Sequence, residues 1–444
     1  MDVVFIGYTT RYRTGGAHLQ RAAEALARRE RVRLAGRATV QCAAVERKHT
    51  FVAAMAQVAA AGDHLLGLHL LTHSGLYGPM FGTTAWPEQL SPAEWRGLAI
   101  PFAEGGEAYF HACRSARWFA PFFARTFGVP AHGYHWYTTF SARPDRFARP
   151  RWSDPDADVH LVGFPGRTSH GLLASAAKYA GFGRAEAMKR FEPEPPGGDT
   201  SYDAVAPLYD AVFQDIGVRA DEIRWLERHL EGAATALRQP GETLRLLDLG
   251  CGNGALLHRW RHRIGPSVGV DQSAAMLAHA ERRNSDQPHL RFVCVPGPTL
   301  PLADDSVDVA VSLLSFRYLD WDPMMAELRR VLVPQGRLLL VDMAAKAPSA
   351  AELPRLLRDK LRVELAARRR PQTRAALARL VADPRWQAML QYNPMRAWHE
   401  YAWYLGSRFP GRTVKVLNIG RTARVLAFDS GPFSAMRDVE LSWP

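Results

Sequence analysis

The chain has 444 residues, a formal net charge of +12, 47% hydrophobic residues and 23% charged residues. That length accommodates two or three domains, each with its own core, and the composition is that of a soluble globular protein. The positive balance comes from arginine; with no basic tail and no nucleic-acid-binding motif, it reads as a solvated surface rather than a nucleic-acid partner.

The four cysteines, Cys42, Cys113, Cys251 and Cys294, form no Cys-x-x-Cys pair. They read as free thiols in a reducing compartment. The first residues carry no basic leader, and no apolar run reaches membrane-spanning length. The expectation is a cytoplasmic protein with no membrane partner.

In chain order, Val3 to Gly7 reads as a buried strand and Ala17 to Arg29 as a helix. Phe51 to Ala61 reads as a second helix, and Leu65 to Thr72 as a strand ending in His73-Ser74-Gly75. Ser91-Pro92-Ala93-Glu94 has the capping box and first-turn proline of a helix start. Glu107 to Ala112 is a strand ending in Cys113-Arg114-Ser115. Trp118 to Phe127 is a helix, followed by an apolar stretch from Val129 to Tyr137. Alternating strands and helices predict a parallel α/β sheet. Ala142 to Asp156 reads as a loop, Val159 to Phe164 as one more strand and Leu172 to Phe182 as a helix. The Pro/Gly-rich run of residues 192–199 is the predicted linker between domains spanning 1–191 and 200–444.

His73 and Cys113 thus stand at the C-terminal ends of two predicted strands, where open α/β sheets place their sites. A thiolate nucleophile needs a base, and an imidazole supplies one. Backbone N–H groups at Gly75 and Cys113 are candidate oxyanion donors. Thr72-His73-Ser74-Gly75, His111-Ala112-Cys113-Arg114-Ser115-Ala116 and the intervening Leu90 to Trp95 resemble the caspase-like fold of clan CD cysteine peptidases, and within it the CHAT domains. The chain departs from that pattern at Ser74, which separates His73 from Gly75, and at Ala116, where a glycine is common. Three readings stay open: a working hydrolase, a caspase-like module for binding or docking (preferred), and ordinary strand-end residues. His69, His73, His111, His132 and His135 lack compact ligand spacing, so no metal site is expected.

The second domain is organised around Leu244 to Leu257, which reads as a buried strand, a glycine-rich turn and a helix opening at about Asn253. Gly250, Gly252 and Gly254 allow a tight turn and close approach of a ligand. The helix start offers free N–H groups. Asp271, at the end of the next strand, is placed to accept from a ribose diol. The Asp-x-Gly-x-Gly-x-Gly run, Asp271-Gln272-Ser273-Ala274-Ala275-Met276-Leu277, Leu300-Pro301-Leu302 with Ser306-Val307-Asp308, and Glu327 to Leu332 with Pro334 to Leu338 resemble class I S-adenosylmethionine methyltransferases. Within that family the likeness is to the ubiquinone-biosynthesis-like small-molecule enzymes.

The resemblance implies a Rossmann-like seven-stranded sheet and S-adenosylmethionine as cofactor. It implies that Asp248, Gly250, Cys251, Gly252 and Gly254 hold the methionine part, with Asp271, Gln272, Met276 and Leu313 lining the rest. Tyr202 and Tyr209, in Tyr202-Asp203-Ala204-Val205-Ala206-Pro207-Leu208-Tyr209-Asp210, are expected to cap the cofactor or line the acceptor pocket. Pro296 stands where the family commonly has an adenine-binding acid. Phe316, Arg317 and Tyr318 are expected to contact the acceptor, with Arg317 holding an anionic group. No clear base is present; His399 and Tyr318 are the nearest candidates.

Leu353 to Leu380 reads as one basic helix with a solvated face. Trp398, Tyr401, Trp403 and Tyr404 read as core at helical spacing. Thr413 to Leu417 and Thr422 to Phe428 are expected to form a terminal hairpin. The expected function is methyl transfer to a small-molecule acceptor, with the N-terminal domain for binding or docking. The alternatives are a His73/Cys113 hydrolase with a S-adenosylmethionine-responsive partner domain, and a protein or nucleic-acid methyltransferase whose N-terminal domain recruits the target.

Overall fold

The computed structural model describes residues 1–10, 16–82, 87–154, 157–164, 183–193, 202–239, 241–346, 348–392 and 395–437. The chain forms two compact units, 1–197 and 198–444. Most of the predicted linker and the helix expected at Leu172 to Phe182 fall outside the described residues.

The N-terminal unit is built on β1 (Asp2–Tyr8), β2 (Thr39–Ala44), β3 (His64–Leu71), β7 (Phe102–His111), β8 (Ala131–Gly133) and β11 (Lys189–Phe191), in the order β11-β8-β7-β3-β1-β2. All neighbours are parallel except β11 against β8. Side-chain alternation on β1 explains the layering. Val3 and Phe5 join the core with Phe51 and Met55 of α2 (Lys48–Ala60) and Phe119 and Phe123 of α4 (Phe119–Phe127). Val4 and Ile6 point the other way, onto Leu19, Ala22, Ala23 and Leu26 of α1 (Gly16–Leu34).

The capping box forms at α3 (Pro92–Arg96): Ser91 N–H donates to Glu94 Oε2 at 2.7 Å, and Glu94 N–H donates to Ser91 Oγ at 3.2 Å. Two expectations need correction. His73–Gly75 is itself a short strand, β4, pairing antiparallel with β5 (Gly78–Gly82), to which the two-residue β6 (Pro87–Glu88) adds. The strand expected at Val159 to Phe164 is β10 (His160–Gly163), which pairs with β9 (Thr138–Ser141) outside the main sheet.

In the C-terminal unit the sheet order is β14-β13-β12-β15-β16-β18-β17. The strands are β12 (Leu246–Leu249), β13 (Ser267–Asp271), β14 (Leu290–Cys294), β15 (Val307–Leu313), β16 (Leu332–Ala345), β17 (Lys415–Ile419) and β18 (Ala423–Asp429). β12 to β16 run parallel, and β18 and β17 close the sheet as the expected antiparallel hairpin.

α5 (Ala206–Phe213), α6 (Ala220–Leu237), α7 (Ala255–Trp260), α8 (Ala274–Arg283) and α9 (Trp321–Val331) surround the sheet. Leu247 and Leu249 pack with Met324, Met325 and Leu328 of α9 on one face. Leu246 packs with Ile223, Trp225 and Leu226 of α6 on the other. The basic helix expected over Leu353 to Leu380 is two helices, α10 (Leu353–Arg368) and α11 (Pro371–Ala382). Pro371 cannot continue the first helix but suits the opening of the second. α12 (Pro384–Tyr392) and α13 (Trp398–Arg408) follow.

Candidate cofactor and acceptor site

The loop after β12 is held in a shape that glycine alone adopts easily. Gly250, Gly252 and Gly254 have φ of 71°, 53° and 68°, the left-handed region in which a side chain is strained. Space matters as much: a Cβ on Gly250 would lie 2.3 Å from Ser315 Cβ. Gly250 N–H and Cys251 N–H both donate to Val270 O, at 2.8 and 3.0 Å, and tie the loop to β13. Cys251 is buried, its thiol pushed well up by burial, and it packs against Gly269. Its side chain fills core volume, so its role at a ligand is limited to the backbone. The helix opens at Ala255, two residues later than expected. Asn253 instead turns its amide to Asp210 Oδ1 at 2.8 Å and Phe213 O at 3.3 Å.

Two carboxylates face this loop. Asp271 Oδ2 accepts Gly252 N–H at 2.8 Å, and Oδ1 accepts Ser273 N–H at 2.9 Å. Burial raises its pKa while those N–H donors oppose the rise. Asp248 is 2% exposed, and its Oδ2 has no hydrogen-bond partner. Burial, with Asp271 adding repulsion, pushes its pKa up to about 8. A buried, unsatisfied carboxylate is costly unless a donor or cation completes it. Met276 is buried with its Cε 3.1 Å from the Cβ position of Gly252; Gln272 is exposed and Leu313 half-buried at the end of β15. The residues present fit S-adenosylmethionine: a glycine cradle, an orphaned acidic oxygen for a cationic group, and a second carboxylate with remaining acceptor capacity for a diol.

The cover is a short helical turn at Asp203–Val205 leading into α5. Sequence reasoning singled out its tyrosines and passed over its acids. Asp203 Oδ1 accepts Ser273 Oγ–H at 2.5 Å and Ala275 N–H at 3.0 Å, at the start of α8. Asp210 receives Arg283 at 2.7 Å, besides Asn253, and lies 3.3 Å from His279. The repeated Tyr-Asp spacing was the available signal. Tyr202 and Tyr209 meet edge to face at 5.5 Å, and Trp386 of α12 packs on both. Tyr202 Oη lies 2.9 Å from Tyr318 Oη, joining the cover to the loop after β15.

That loop begins at Leu314, a non-glycine residue with φ of 62°, the kind of strained position that concentrates at sites. Phe316 is 0% exposed and stacks on Trp321 at 5.2 Å; it is core, not an acceptor contact. Arg317 is not available as an anion clamp. Its guanidinium pairs with the buried Asp342 at 2.5 Å and donates to Tyr318 Oη at 2.9 Å. Asp342 also accepts Arg317 N–H and Tyr401 Oη–H, each at 2.8 Å. Arg396, buried over the Trp321 ring at 3.6 Å, donates to Arg317 O at 3.2 Å. Asp342 and Arg396 were missed because each acts through contacts far along the chain. Of the predicted acceptor residues, Tyr318 remains beside the cover. The His399 ring meets that of Trp403, with centroids 4.5 Å apart.

In the N-terminal unit, Leu71 of β3 is in register with His111 of β7. Beyond that pair, His73 enters the antiparallel pairing with β5, and Cys113 stands in the turn that follows β7. Cys113 Sγ is 3.3 Å from Thr138 Oγ1 and accepts Thr138 N–H at 3.3 Å. Arg114 has φ of 60°. Ser115 secures the turn, donating to Phe110 O and Ala112 O and accepting Tyr134 N–H.

His69, Tyr109 and His132 form a ladder of stacked rings across β3, β7 and β8, with centroids 4.4 and 4.3 Å apart. His69 Nδ1 lies 3.1 Å from His111 Nε2. Among the described residues, no group of three or more His, Cys, Asp or Glu is arranged to hold a metal.

Residues 247–340 match the family model described as a methyltransferase domain. The C-terminal unit carries a class I, S-adenosylmethionine-dependent methyltransferase domain. A demethylmenaquinone methyltransferase of Thermus thermophilus is 32% identical over 145 residues, 32% of this chain and 63% of that protein. A malonyl-acyl-carrier-protein O-methyltransferase of Erwinia pyrifoliae is 37% identical over 131 residues, 28% of this chain and 46% of that protein. Among solved structures, a S-adenosylmethionine-dependent methyltransferase from Aquifex aeolicus aligns with a TM-score of 0.26 and 17% identity over 46% of this chain and 88% of that one. The fold rests instead on the strand order given above. The chain spans less than two thirds of the length of the curated relatives it matches, 63% and 46% in the two named here.

Proposed function

We propose that the chain transfers the methyl group of S-adenosylmethionine to a small-molecule nucleophile. The observation that carries this reading is the orphaned Asp248 oxygen beside the glycine cradle, with Asp271 tethered across the loop by Gly252 and Ser273. Bound S-adenosylmethionine supplies an activated methyl on a sulfonium, so methyl transfer is an in-line displacement.

This chain's residues supply binding and alignment, which account for much of such a rate. Asp248 receives positive charge, Asp271 a diol, and Asp203 and Asp210 hold the cover down. The Tyr202–Tyr318 contact closes the cover against the loop where this fold places its acceptor. The buried Arg317–Asp342 pair holds that loop rigid and positions Tyr318. The relative named for demethylmenaquinone supports a small-molecule acceptor.

The test is methyl-labelled S-adenosylmethionine with fractionated lysate of the source cell. Label in small molecules supports the reading; label confined to protein or nucleic acid refutes it. Tyr318→Phe is expected to slow transfer while cofactor affinity holds.

For the N-terminal unit we propose a caspase-like module that binds or docks substrate. A second reading, cysteine hydrolysis, rests on the places of His73 and Cys113 just after the paired strands β3 and β7. Thiol-dependent cleavage lost in Cys113→Ala would establish it over docking.

A further inference from the structure

Helix α10 is amphipathic, but it packs the wrong way round for a helix of a soluble core. Its one fully buried side chain is Asp359, 2% exposed, which accepts Ile419 N–H of β17 at 3.3 Å. Arg355 donates to Val416 O at 2.7 Å, and Arg362 pairs with Asp221 at 2.6 Å. The polar face is thus bound to the edge of the sheet. The opposite face carries Leu353, Leu357, Leu361 and Leu365, spaced four apart, and these are 48%, 67%, 61% and 49% exposed. Leu377 and Val381 of α11 are 44% and 46% exposed at the same spacing. Eight of the eleven large hydrophobic side chains exposed among the described residues lie between 353 and 390. A concentration of this kind marks a surface that is covered in use.

Charge selects the occupant. Residues 353–382 hold nine lysines and arginines against two carboxylates, a net +7 out of +12 for the whole chain. Two copies meeting through this face would bring like charges together, which disfavours self-association. Leucines along one helical stripe with arginine and lysine at its borders suit an interfacial helix: the apolar stripe enters the acyl boundary, and the long cationic side chains reach the head groups. We propose that α10 and α11 form a peripheral docking surface for an anionic lipid bilayer. No spanning segment is involved; among the described residues no helix is long and apolar enough to cross a membrane. The charge run read from sequence as a solvated face is, on this proposal, the cationic border of that surface.

The same insertion reaches the methyltransferase site. Ala376 and Leu380 of α11 pack with Val212 and Phe213 of α5, and Trp386 packs on Tyr202 and Tyr209. An apolar acceptor held in the bilayer would therefore meet the cover of the site. That consequence rests on the methyl-transfer reading; membrane binding does not.

The experiment is co-sedimentation of the full chain with phosphatidylcholine vesicles, with and without about 30 mol% phosphatidylglycerol, where each basic side chain near an anionic surface adds measurably to binding. Binding to the anionic vesicles is expected to exceed that to neutral ones by about tenfold and to weaken with salt. Leu357→Glu/Leu361→Glu is expected to reduce it to the neutral level while calorimetric S-adenosylmethionine binding is retained. Arg368→Glu/Arg369→Glu, which leaves the leucines in place, tests the charge separately and is expected to remove the preference for anionic lipid.

Equal partitioning on both vesicles, or undiminished binding by both variants, would overturn the proposal. So would a dimer in sedimentation velocity that the leucine variant dissolves, which would assign the face to a second copy. Loss of vesicle binding with cofactor binding intact bears on the docking surface alone.

Discussion

Asp248→Asn isolates the carboxylate on which the cofactor assignment depends. Burial pushes the Asp248 carboxyl from its ordinary 3.8 up to about 8, with repulsion from Asp271 adding to the rise. A raised acid contributes no penalty below the unfolded value and an increasing one as pH climbs toward the folded value, because only the unfolded chain ionises freely. Stability on this account is fully present below about pH 4 and is lost progressively up to about pH 8. At about 1.4 kcal/mol per unit, the loss attributable to this one group between pH 5 and pH 8 is about 4 kcal/mol.

Asparagine cannot ionise. It leaves a buried polar group comparable to the neutral acid, so the difference between the two proteins reads the charge. Thermal unfolding of ligand-free wild type and Asp248→Asn at both pH values is the assay. The variant's advantage is expected to grow by roughly 10 °C from pH 5 to pH 8 for a unit of this size. The same variant is expected to bind S-adenosylmethionine at least about tenfold more weakly, since a charge-assisted contact contributes roughly 1.5–3 kcal/mol. Parallel pH profiles for the two proteins would refute the claim that a buried, unpartnered carboxylate waits at the glycine loop.

Asp271→Ala removes the acceptor that two loop N–H groups share with the ligand; calorimetry is expected to show weakened S-adenosylmethionine binding, and an unchanged dissociation constant would sink the cofactor site. Gly250→Ala places a methyl 2.3 Å from Ser315 Cβ at a left-handed residue, and denaturant unfolding is expected to show a loss of about 1–3 kcal/mol. In the N-terminal unit, burial lowers the pKa of both His69 and His111, that of His111 to about 3. A base depressed in the fold stabilises fully above the unfolded value near 6.5 and destabilises as pH falls below it, by about 2 kcal/mol at pH 5 for His111. Acid unfolding monitored by circular dichroism is expected to shift to lower pH in His69→Gln/His111→Gln.

Much of this protein was legible in the chain itself. Buried parallel strands carry continuous apolar runs, and a glycine loop between such a run and a helix has few uses, so β12, its turn and Asp271 stood out by local pattern. The capping box at Ser91 and the terminal hairpin around Asn418 to Arg421 are equally local, and each formed. What the sequence did not disclose depends on pairings between residues far apart. Arg317 reads as a free cation until Asp342, on the next strand, is found beside it; Phe316 reads as a pocket residue until Trp321 covers it. Asp203 and Asp210 lie in plain view, yet their work is defined by Ser273, Asn253 and Arg283, which only folding brings near. The leucines of α10 have ordinary helical spacing, and it took the edge of β17, drawing Asp359 and Arg355 inward by backbone hydrogen bonds, to turn them outward. Local propensity and periodicity determine which elements form; the partner of a charge and the buried side of a helix are decided by contacts whose distance along the chain leaves no periodic trace.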